Sequence, residues 1–333
     1  MKIIIPMAGM GKRMRPHTLT VPKPLIRIAG KPIVQRLAED IAAIGGGTPE
    51  EIAFIVGDFG KEVEKQLLDI AEALGAKGRI YYQHEAMGTA HAVYCAQESL
   101  DGPVVVAFAD TLFRADFHLN TKHEGVIWVH RVDQPQAFGV VKTNEEGVIT
   151  AFVEKPAIFV SDQAIIGIYY FREGNLLREE LRFLIDQDIR KNGEFQLTDV
   201  LENMMKKGLR FYTDEVAEWL DCGNKNATVF TNRKILEYSD AKGLVHPSAK
   251  LVNSVIIPPC YLGPDVIIDH SVVGPYVSVG ENSRIENAVI SNSIIQTHSR
   301  IVNVNLCNSM IGNYVEYSGR PNEDSIGDYT SLS

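Results

Sequence analysis

The chain has 333 residues, of which 45% are hydrophobic and 23% charged, an ordinary composition for a globular protein of about two domains. Its net charge of −9 disfavours broad binding to nucleic acid or acidic membranes but allows a local cationic pocket. The opening apolar run is too short for a signal peptide, and no stretch reaches the roughly 20 apolar residues of a membrane span. The scattered cysteines predict reduced thiols in a cytoplasmic protein: Cys95, Cys222, Cys260 and Cys307.

From residue 1 to about 240, short β-rich runs alternate with helical patterns. Strands are predicted at 2–7, 52–56, 80–83, 104–109 and 126–130, and helices at 33–44, 61–74 and 89–96. Continuous apolar runs such as 104–109 suit strands that are buried on both faces. The alternation therefore predicts an α/β fold, with a Rossmann-like, mainly parallel mixed sheet flanked by helices. Ligands of such sheets bind at the carboxyl ends of strands, where the turn at 9–13 and Asp110 both fall.

A glycine-rich turn with nearby cations follows the first strand. Gly9 and Gly11 let the backbone approach an anion, and cations such as Arg13 and Lys23 would hold it. A dinucleotide fingerprint would need a third glycine at position 14, which is Met14, and the GxxxxGK[ST] string of a Walker loop does not occur. The turn therefore predicts a phosphate-rich ligand.

After about residue 243, helical periodicity gives way to six-residue units that begin with an aliphatic residue and a glycine, at 262–267, 273–278, 279–284, 311–316 and 326–331. Such a repeat is typical of a parallel β-helix, and it resembles the left-handed β-helix of hexapeptide-repeat proteins. Its register is imperfect between 285 and 310, which leaves the number of coils open. A helix predicted at 227–238 and a linker at 239–245 divide the chain into domains 1–240 and 245–333.

The string from Gly9 to Pro16, followed by Pro22-Lys23-Pro24-Leu25, resembles the sugar-1-phosphate nucleotidyltransferases. Further motifs follow in that family's order: Tyr82-Gln83 with Met87-Gly88-Thr89-Ala90, Ala109-Asp110, Phe138-Gly139-Val140-Val141, Glu154-Lys155-Pro156, Glu194-Phe195-Gln196-Leu197-Thr198-Asp199 and Trp219-Leu220-Asp221-Cys222-Gly223. The resemblance covers about 1–235. The family includes glucose-1-phosphate thymidylyltransferases, UDP-sugar pyrophosphorylases and mannose-1-phosphate guanylyltransferases.

The resemblance implies that a sugar 1-phosphate attacks the α-phosphate of a nucleoside triphosphate, giving an NDP-sugar and pyrophosphate. The implied catalytic residues are Arg13 at the triphosphate, Lys23 near the α-phosphate and Lys155 at the sugar phosphate, and the implied Mg²⁺ ligands are Asp110 and Asp221. The implied nucleotide-binding residues are Ala8, Gly9, Gly11, Lys12, Gln83, Gly88 and Thr89, and the sugar-binding residues are Gly139, Glu154 and Lys155. No histidine is assigned as a general base, because the phosphate nucleophile is already ionised at neutral pH.

Each charged residue also has a purely structural interpretation. Asp110 could cap the following helix, Asp221 could serve a turn, and Lys155 could be an ordinary surface lysine. The charged residues all occur, in the order of the family's motifs, and they therefore favour an enzyme. A non-catalytic NDP-sugar-binding regulatory relative would be expected to lose one of the charged groups. The pair Gln83 and Gly88 resembles the arrangement that reads uracil or thymine. Glucose 1-phosphate with dTTP or UTP is therefore favoured, and mannose 1-phosphate with GTP is the alternative.

Three functions are open for the C-terminal coil. It could serve structure and assembly into a homo-oligomer, carry acyl transfer, or bind a regulatory ligand. Acyl transfer normally needs a complete prism and a catalytic histidine in a cleft, whereas His246, His270 and His298 stand in polar repeat contexts. Structure and assembly are favoured. The expected partners are small-molecule substrates and further copies of the chain, with no nucleic acid and no membrane.

Overall fold

The computed structural model describes residues 1–191, 193–240, 244–320 and 323–331. The chain forms two compact units, the first made of Met1–Ile26 and Pro32–Gly223, the second of Arg27–Lys31 and the residues from Asn224 onward. The domain boundary expected between 240 and 245 stays a prediction, since 241–243 of the expected linker lie outside the described residues. In the described ranges, no helix combines the length and the apolar composition needed to cross a membrane.

Residues 1–223 alternate between strands and helices. In chain order these are β1 (Lys2–Pro6), β2 (Arg27–Ile28), β3 (Lys31–Pro32), α1 (Ile33–Ile44), β4 (Glu51–Val56), α2 (Lys61–Ala73), β5 (Lys77–Tyr82), α3 (Thr89–Cys95), β6 (Val104–Ala107), β7 (Thr111–Arg114), β8 (Gly125–Arg131), β9 (Gly139–Thr143), β10 (Ile149–Glu154), β11 (Gln163–Phe171), α4 (Gly174–Asp186), α5 (Leu197–Lys206), β12 (Phe211–Glu215) and β13 (Glu218–Asp221).

Strand β1 lies at the centre of the main sheet. It pairs in parallel with β4 on one side and with β6 on the other, and β5 continues the parallel arrangement beyond β4. Ile3, Ile4 and Ile5 are fully buried. A run of β-branched side chains suits this position, because helices cover both faces of a parallel sheet.

The other half of the main sheet is largely antiparallel. Strand β11 pairs antiparallel with β6, β8 and β9, and β10 pairs antiparallel with β9. Strand β12 returns to a parallel pairing with β8. The predicted α/β fold with a mixed, helix-flanked sheet is thus confirmed, its parallel part lying around β1 and its antiparallel part around β11.

The helices present one apolar face to this sheet. In α1 the buried residues include Ile33, Leu37 and Ile41, four residues apart, which is the spacing of one helix face. Helices α3, α4 and α5 contribute buried side chains to a core shared with Ile4 of β1 and Phe211 of β12. The strands and helices predicted before residue 131 are confirmed, with ends that differ from the prediction by three residues or fewer.

The second unit starts with a helix and continues as short strands. Helix α6 (Lys225–Tyr238) begins after Asn224, whose side-chain oxygen accepts a 3.0 Å hydrogen bond from the Ala227 N–H. The strands are β14 (Lys250–Val252), β15 (Val255–Ile256), β16 (Cys260–Leu262), β17 (Ile267–Asp269), β18 (Val272–Val273), β19 (Val277–Val279), β20 (Arg284–Glu286), β21 (Val289–Ser291), β22 (Ile294–Ile295), β23 (Arg300–Val302), β24 (Asn305–Cys307), β25 (Met310–Ile311) and β26 (Glu316–Ser318).

These strands stack into three parallel sheets, in the orders β14-β17-β20-β23-β26, β15-β18-β21-β24 and β16-β19-β22-β25. Each strand therefore lies directly above its equivalent in the preceding coil. Ile268, Ile285 and Ile301 are in register and fully buried, so aliphatic side chains fill the interior as a column. The arrangement fits a left-handed β-helix, as predicted.

Corners of the coil use backbone conformations that most residues avoid. Asparagine occupies many of the positions with positive φ: Asn253, Asn282, Asn287, Asn292, Asn303 and Asn308. Asparagine tolerates this region better than most side chains, which explains its frequency at the corners. The last predicted repeat, 326–331, is described without a strand, and its Ile326 and Tyr329 are exposed. The coil therefore ends at β26 in the described part of the chain.

Candidate active site

A cavity of about 440 Å³ opens in the first unit at the carboxyl ends of the parallel strands. It adjoins the segments that follow β1, β5 and β6, which is where ligands of parallel sheets bind. Its walls bring together ten of the predicted site residues: Ala8, Gly9, Gly11, Lys12, Arg13, Lys23, Gln83, Gly88, Thr89 and Asp110. The segment predicted to hold phosphate and the segment predicted to bind the base therefore face one space.

The glycine-rich turn is fixed in shape by its own hydrogen bonds. Gly11 has a φ of 57°, a left-handed conformation that suits glycine, and its carbonyl accepts bonds from the Thr18 hydroxyl at 2.9 Å and the Met14 N–H at 2.8 Å. A Cβ on Gly11 would lie 3.0 Å from the Cβ of Lys23, so the turn packs closely on that lysine. A Cβ on Gly9, by contrast, would meet no atom within 4 Å, which leaves the Gly9 backbone open to a ligand.

Lys23 and Asp110 form an ion pair at the wall of the cavity. The Lys23 Nζ lies 3.1 Å from Asp110 Oδ2, and Lys23 is only 6% exposed whereas the Asp110 side chain is 44% exposed. A buried ammonium needs a counter-charge, which Asp110 supplies in the free protein. An arriving phosphate could share or replace that counter-charge.

The two carboxylates predicted to hold metal come from segments that run side by side. Strands β7 and β13 pair antiparallel with Thr111 opposite Asp221, and the Cys222 N–H donates to the Asp110 carbonyl at 3.0 Å. Asp221 Oδ1 accepts a 2.8 Å hydrogen bond from the Gly223 N–H. This pairing brings Asp221 into the electrostatic range of Asp110, Lys23 and Arg13.

Burial raises the pKa of the Asp221 carboxyl above its ordinary value of 3.8. The Gly223 N–H opposes that rise, the Asp110 carboxylate adds to it, and the Lys23 and Arg13 cations oppose it. A hard divalent cation would bind the carboxylates of Asp110 and Asp221 and would offset the cost of ionising Asp221. The described residues contain no group of three or more acidic, histidine or cysteine side chains placed to hold a metal, so phosphate and water oxygens would have to complete the coordination.

Hydrogen bonds join the predicted base-binding segment to the start of α5. Gly88 has a φ of 109°, and a Cβ there would lie 2.4 Å from the Phe195 carbonyl oxygen. The Ala90 N–H donates to that same carbonyl at 2.9 Å, and the Phe195 N–H donates to the Met87 carbonyl at 2.9 Å. The Thr89 hydroxyl accepts from the Leu197 N–H at 3.0 Å, so it contributes to this interlock as well as to the cavity wall.

The predicted sugar-side residues are Gly139 on β9, Glu154 at the end of β10 and Lys155 directly after it, and none of them is in the wall of the cavity. Gly139 pairs with Glu154, and a Cβ on Gly139 would lie 2.8 Å from Glu154 Oε2. Lys155 follows with a φ of 43° and an exposed side chain, and its N–H donates to the Phe138 carbonyl at 3.0 Å. The Phe138 ring lies 4.9 Å from that of Trp219, on the strand that ends at Asp221.

Sequence reasoning gave no role to several residues that also form the cavity wall. Phe108 and Glu194 are among them, and so is Gly223, whose Cβ position lies 2.9 Å from Asp221 Oδ1. Glu194 and Gly223 each stand within a motif of the resemblance, and Phe108 precedes the Asp110 motif. Nothing in their spacing predicts that they meet the segment around Gly9, because α5 and β6 are brought together only by the tertiary fold.

Comparison with known proteins gives one family. The sequence model of the family described as "Nucleotidyl transferase" matches residues 2–238. This range includes every predicted catalytic, nucleotide, sugar and metal residue.

Curated relatives match over most of the chain. A glucose-1-phosphate thymidylyltransferase from Streptomyces antibioticus is 29% identical over 341 aligned residues, covering 95% of this chain and 93% of the relative. A mannose-1-phosphate guanylyltransferase catalytic subunit beta from Drosophila pseudoobscura pseudoobscura is also 29% identical, covering 85% and 72%. The "Low-salt glycan biosynthesis nucleotidyltransferase Agl11" of Haloferax volcanii is 29% identical over 90% of this chain and 89% of its own.

A crystal structure supports the fold. It is that of a Bacillus anthracis protein assigned as a glucose-1-phosphate thymidylyltransferase, which superimposes with a TM-score of 0.58 at 22% identity and covers 72% of this chain and 96% of that chain.

Proposed function

Because the chain belongs to the nucleotidyl transferase family, we propose that it transfers a nucleotidyl group from dTTP or UTP to glucose 1-phosphate, releasing pyrophosphate. The observation that carries the proposal is the cavity of the first unit, where the glycine-rich turn, the Lys23–Asp110 pair and Gln83 line one space. A triphosphate needs cations and open backbone, and a base needs a fixed polar edge. The cavity offers both.

The cations near the turn would bind the triphosphate. Arg13 is exposed at the cavity wall, and its planar guanidinium suits the oxygens of the β- and γ-phosphates and of the leaving pyrophosphate. Lys23 packs against Gly11 of the turn and would offset charge on the α-phosphate during attack. Such transfer depends on in-line positioning and charge stabilisation and needs little covalent help from the protein.

Asp110 and Asp221 would hold Mg²⁺ in the substrate complex. Their neighbouring carboxylates, with the raised pKa of Asp221, fit a hard cation that takes its remaining ligands from phosphate and water. When bound, the ion would neutralise part of the charge on the triphosphate. Lys23 would then be released from Asp110 to contact phosphate oxygen.

The sugar 1-phosphate would approach from the side of β9 and β10. Glu154 would accept hydrogen bonds from sugar hydroxyls, and Gly139 leaves the space beside that carboxylate free of a side chain. The exposed ammonium of Lys155 would contact the sugar phosphate, whose oxygen is already ionised and needs no general base. The five charged residues that the reaction requires, Arg13, Lys23, Asp110, Lys155 and Asp221, are all present, which disfavours a non-catalytic NDP-sugar-binding role.

Mannose 1-phosphate with GTP is the alternative substrate pair. The observation that favours it is the similarity to mannose-1-phosphate guanylyltransferases over 85% of this chain, at the same 29% identity as the thymidylyltransferase of Streptomyces antibioticus. Gln83 and Gly88 both line the cavity wall, and their resemblance to the arrangement that reads uracil or thymine is what favours the pyrimidine.

The test is a matrix of nucleoside triphosphates against sugar 1-phosphates, with pyrophosphate release as the readout. We expect the highest kcat/KM for glucose 1-phosphate with dTTP or UTP, and loss of turnover when Mg²⁺ is chelated. The Asp110→Asn variant is the matched control, and it should release no pyrophosphate above background. A preference for GTP with mannose 1-phosphate would replace the proposed substrates by the alternative. Absence of pyrophosphate with every pair would overturn the enzymatic proposal.

A further inference from the structure

The side-chain amide of Gln83 is held by two partners. Its Nε2 lies 3.2 Å from the Gly88 carbonyl oxygen and 3.1 Å from Nδ1 of His91, on the first turn of α3. The Gln83 backbone is fixed as well, since its N–H donates to the Val56 carbonyl at 2.9 Å. Gln83 lines the cavity, so the orientation of its amide decides which polar atom a bound base meets.

These partners determine that orientation chemically. A backbone carbonyl can only accept a hydrogen bond, so the Gly88 contact favours the orientation with the NH₂ end toward Gly88, and the His91 contact adds a second hydrogen bond to the same orientation. The second N–H of the same nitrogen then points at His91, which must accept it through Nδ1. The carbonyl oxygen of Gln83 receives no hydrogen bond within the described chain and is left for the ligand.

His91 can accept through Nδ1 only while it is neutral, with its proton on Nε2. Burial lowers the pKa of His91 below its ordinary value of 6.5. The charged groups that face it are Glu85, which opposes this shift, and Arg190 from the segment after α4, which adds to it. The imidazole is therefore neutral at physiological pH, in the form that the Gln83 contact requires.

We propose that His91 is a positioning residue that holds the Gln83 carbonyl oxygen toward the nucleobase and so selects a base with an N–H on the facing edge. Uracil and thymine carry such a group at N3, whereas cytosine has a bare acceptor nitrogen there. The inference rests on the proposed function, because it assigns a specificity role within the same nucleotide site. It adds a residue that contacts neither the phosphates nor the reacting atoms.

The experiment compares kcat and KM for UTP and CTP, and for dTTP and dCTP, in four proteins. These are the wild type, His91→Leu, which has no acceptor, His91→Asn, which can place an amide oxygen near the Nδ1 position, and His84→Leu. His84 is an exposed neighbour that stacks on Tyr82 and serves as the matched histidine control. Each protein is assayed from about pH 8 to about pH 5, across the range in which a histidine titrates.

In His91→Leu, we expect KM for UTP or dTTP to rise about tenfold and the preference over the cytosine nucleotide to fall by a similar factor, since a hydrogen bond that orients the amide is lost. The kcat should change by less than about threefold, because the phosphate contacts remain. His91→Asn should restore the preference. The wild-type preference should decline as the pH falls below the His91 pKa, while that of His91→Asn should stay flat.

Two results would overturn the role of His91. One is an unchanged uracil or thymine preference in His91→Leu, and the other is an equal loss in His84→Leu. If the wild type turns over neither UTP nor dTTP, the proposed substrates fail instead, so the two failures are distinguishable. Guanine also has an N–H on this edge, so the substrate matrix, and not these variants, separates GTP from UTP.

Discussion

At the scale of single residues, the site depends on charged groups that lie far apart in the sequence. Asp110 and Asp221 are brought together by the pairing of β7 with β13, and Lys23 reaches Asp110 from the segment after the glycine-rich turn. Motif order predicts the residue types needed for a triphosphate site, and ten of the predicted positions share one cavity. Their distances follow from tertiary pairing, which no local spacing encodes.

The first prediction concerns the charge of Asp221. Its pKa is raised in the folded protein, chiefly by burial, so ionisation costs stability in full at a pH above that pKa and costs nothing below the ordinary value of 3.8. Asp221→Asn should therefore unfold at an equal or higher urea concentration than the wild type near neutral pH. The difference should shrink as the pH falls through the Asp221 pKa and vanish below the ordinary value of 3.8. Denaturation curves from about pH 8 to about pH 3 measure it, and a variant less stable than the wild type at neutral pH would contradict the expected cost of ionisation.

Asp221→Asn should also lose turnover by at least about 100-fold, since even indirect partners of metal ligands contribute 10–100-fold to activity. The Asn oxygen can still accept the Gly223 N–H, so the loop is expected to keep its shape. Pyrophosphate release in Mg²⁺ is the readout. Turnover close to that of the wild type would refute the metal role.

The second prediction concerns Gly223. A Cβ at this position would lie 2.9 Å and 3.0 Å from the two carboxylate oxygens of Asp221, and the backbone here has no positive φ. Gly223→Ala should therefore push the carboxylate aside while leaving stability nearly unchanged. We expect a fall in kcat/KM of about 100-fold, the order caused by a misplacement of about 1 Å in an active site.

The control for Gly223 is Gly47→Ala, because a Cβ on Gly47 would meet no atom within 4 Å and its φ is not positive. Both variants add one methyl group, and only the first adds it beside Asp221. Equal activity in the two proteins would show that the position of the Asp221 carboxylate does not matter.

At the scale of elements, the interlock of α3 with the start of α5 holds the base-binding segment in place. Two backbone hydrogen bonds and the Thr89 hydroxyl join the segment 87–90 to 195–197. Gly88 allows this close approach, since it lacks a Cβ and has a φ of 109°. The close packing of the base-binding segment against 195–197 therefore depends on Gly88, a residue without a side chain at the N-terminus of α3.

The third prediction compares Gly88→Ala with Gly60→Ala. Both glycines precede a helix and have positive φ, but a Cβ on Gly60 meets nothing within 4 Å, whereas one on Gly88 lies 2.4 Å from a backbone oxygen. Gly60→Ala should cost about 1 kcal/mol of unfolding free energy from backbone strain alone, and Gly88→Ala about 3 kcal/mol or more. Urea denaturation measures both. Similar losses would mean that the segment around Phe195 yields easily.

Elements were predictable from sequence where the apolar pattern was continuous. The buried runs of β1, β4 and β6 and the helix faces of α1 and α2 are confirmed closely. The six-residue repeat is out of register near 285 because the number of residues per coil changes there. Equivalent strand positions are 17 residues apart at Lys250, Ile267 and Arg284, and 16 residues apart at Arg284, Arg300 and Glu316. A fixed six-residue count cannot follow that change, although the stacked strands continue through it.

At the scale of the whole molecule, a net charge of −9 coexists with a cationic turn at the cavity. The net negative charge disfavours nucleic acid, and the turn concentrates positive charge where a triphosphate would bind. The cytoplasmic location and the homo-oligomer stay predictions. The coil of the second unit, with its column of buried aliphatic side chains, fits the structural role favoured from the sequence.

The last prediction is that the coil carries no acyl transfer. His270 has a φ of 46° and hydrogen-bonds to Asp269 at 2.6 Å and to Asn253 at 3.1 Å, while His298 stacks on Tyr314, so both sit at exposed corners. The small cavity of about 20 Å³ in the second unit is lined by neither of them.

Incubation with acetyl-CoA and an amino-sugar phosphate should therefore release no free CoA thiol. The same preparation must release pyrophosphate from its nucleotide and sugar 1-phosphate, which shows that the protein is folded and active. Thiol release that disappears in His246→Ala, His270→Ala or His298→Ala would contradict the structural role, because it would require a histidine of the coil to act as a general base. Thiol release that persists in all three variants would show that none of these histidines is the base. If an active preparation releases no thiol, the coil keeps the structural role, and the nucleotidyl transfer stays assigned to the first unit.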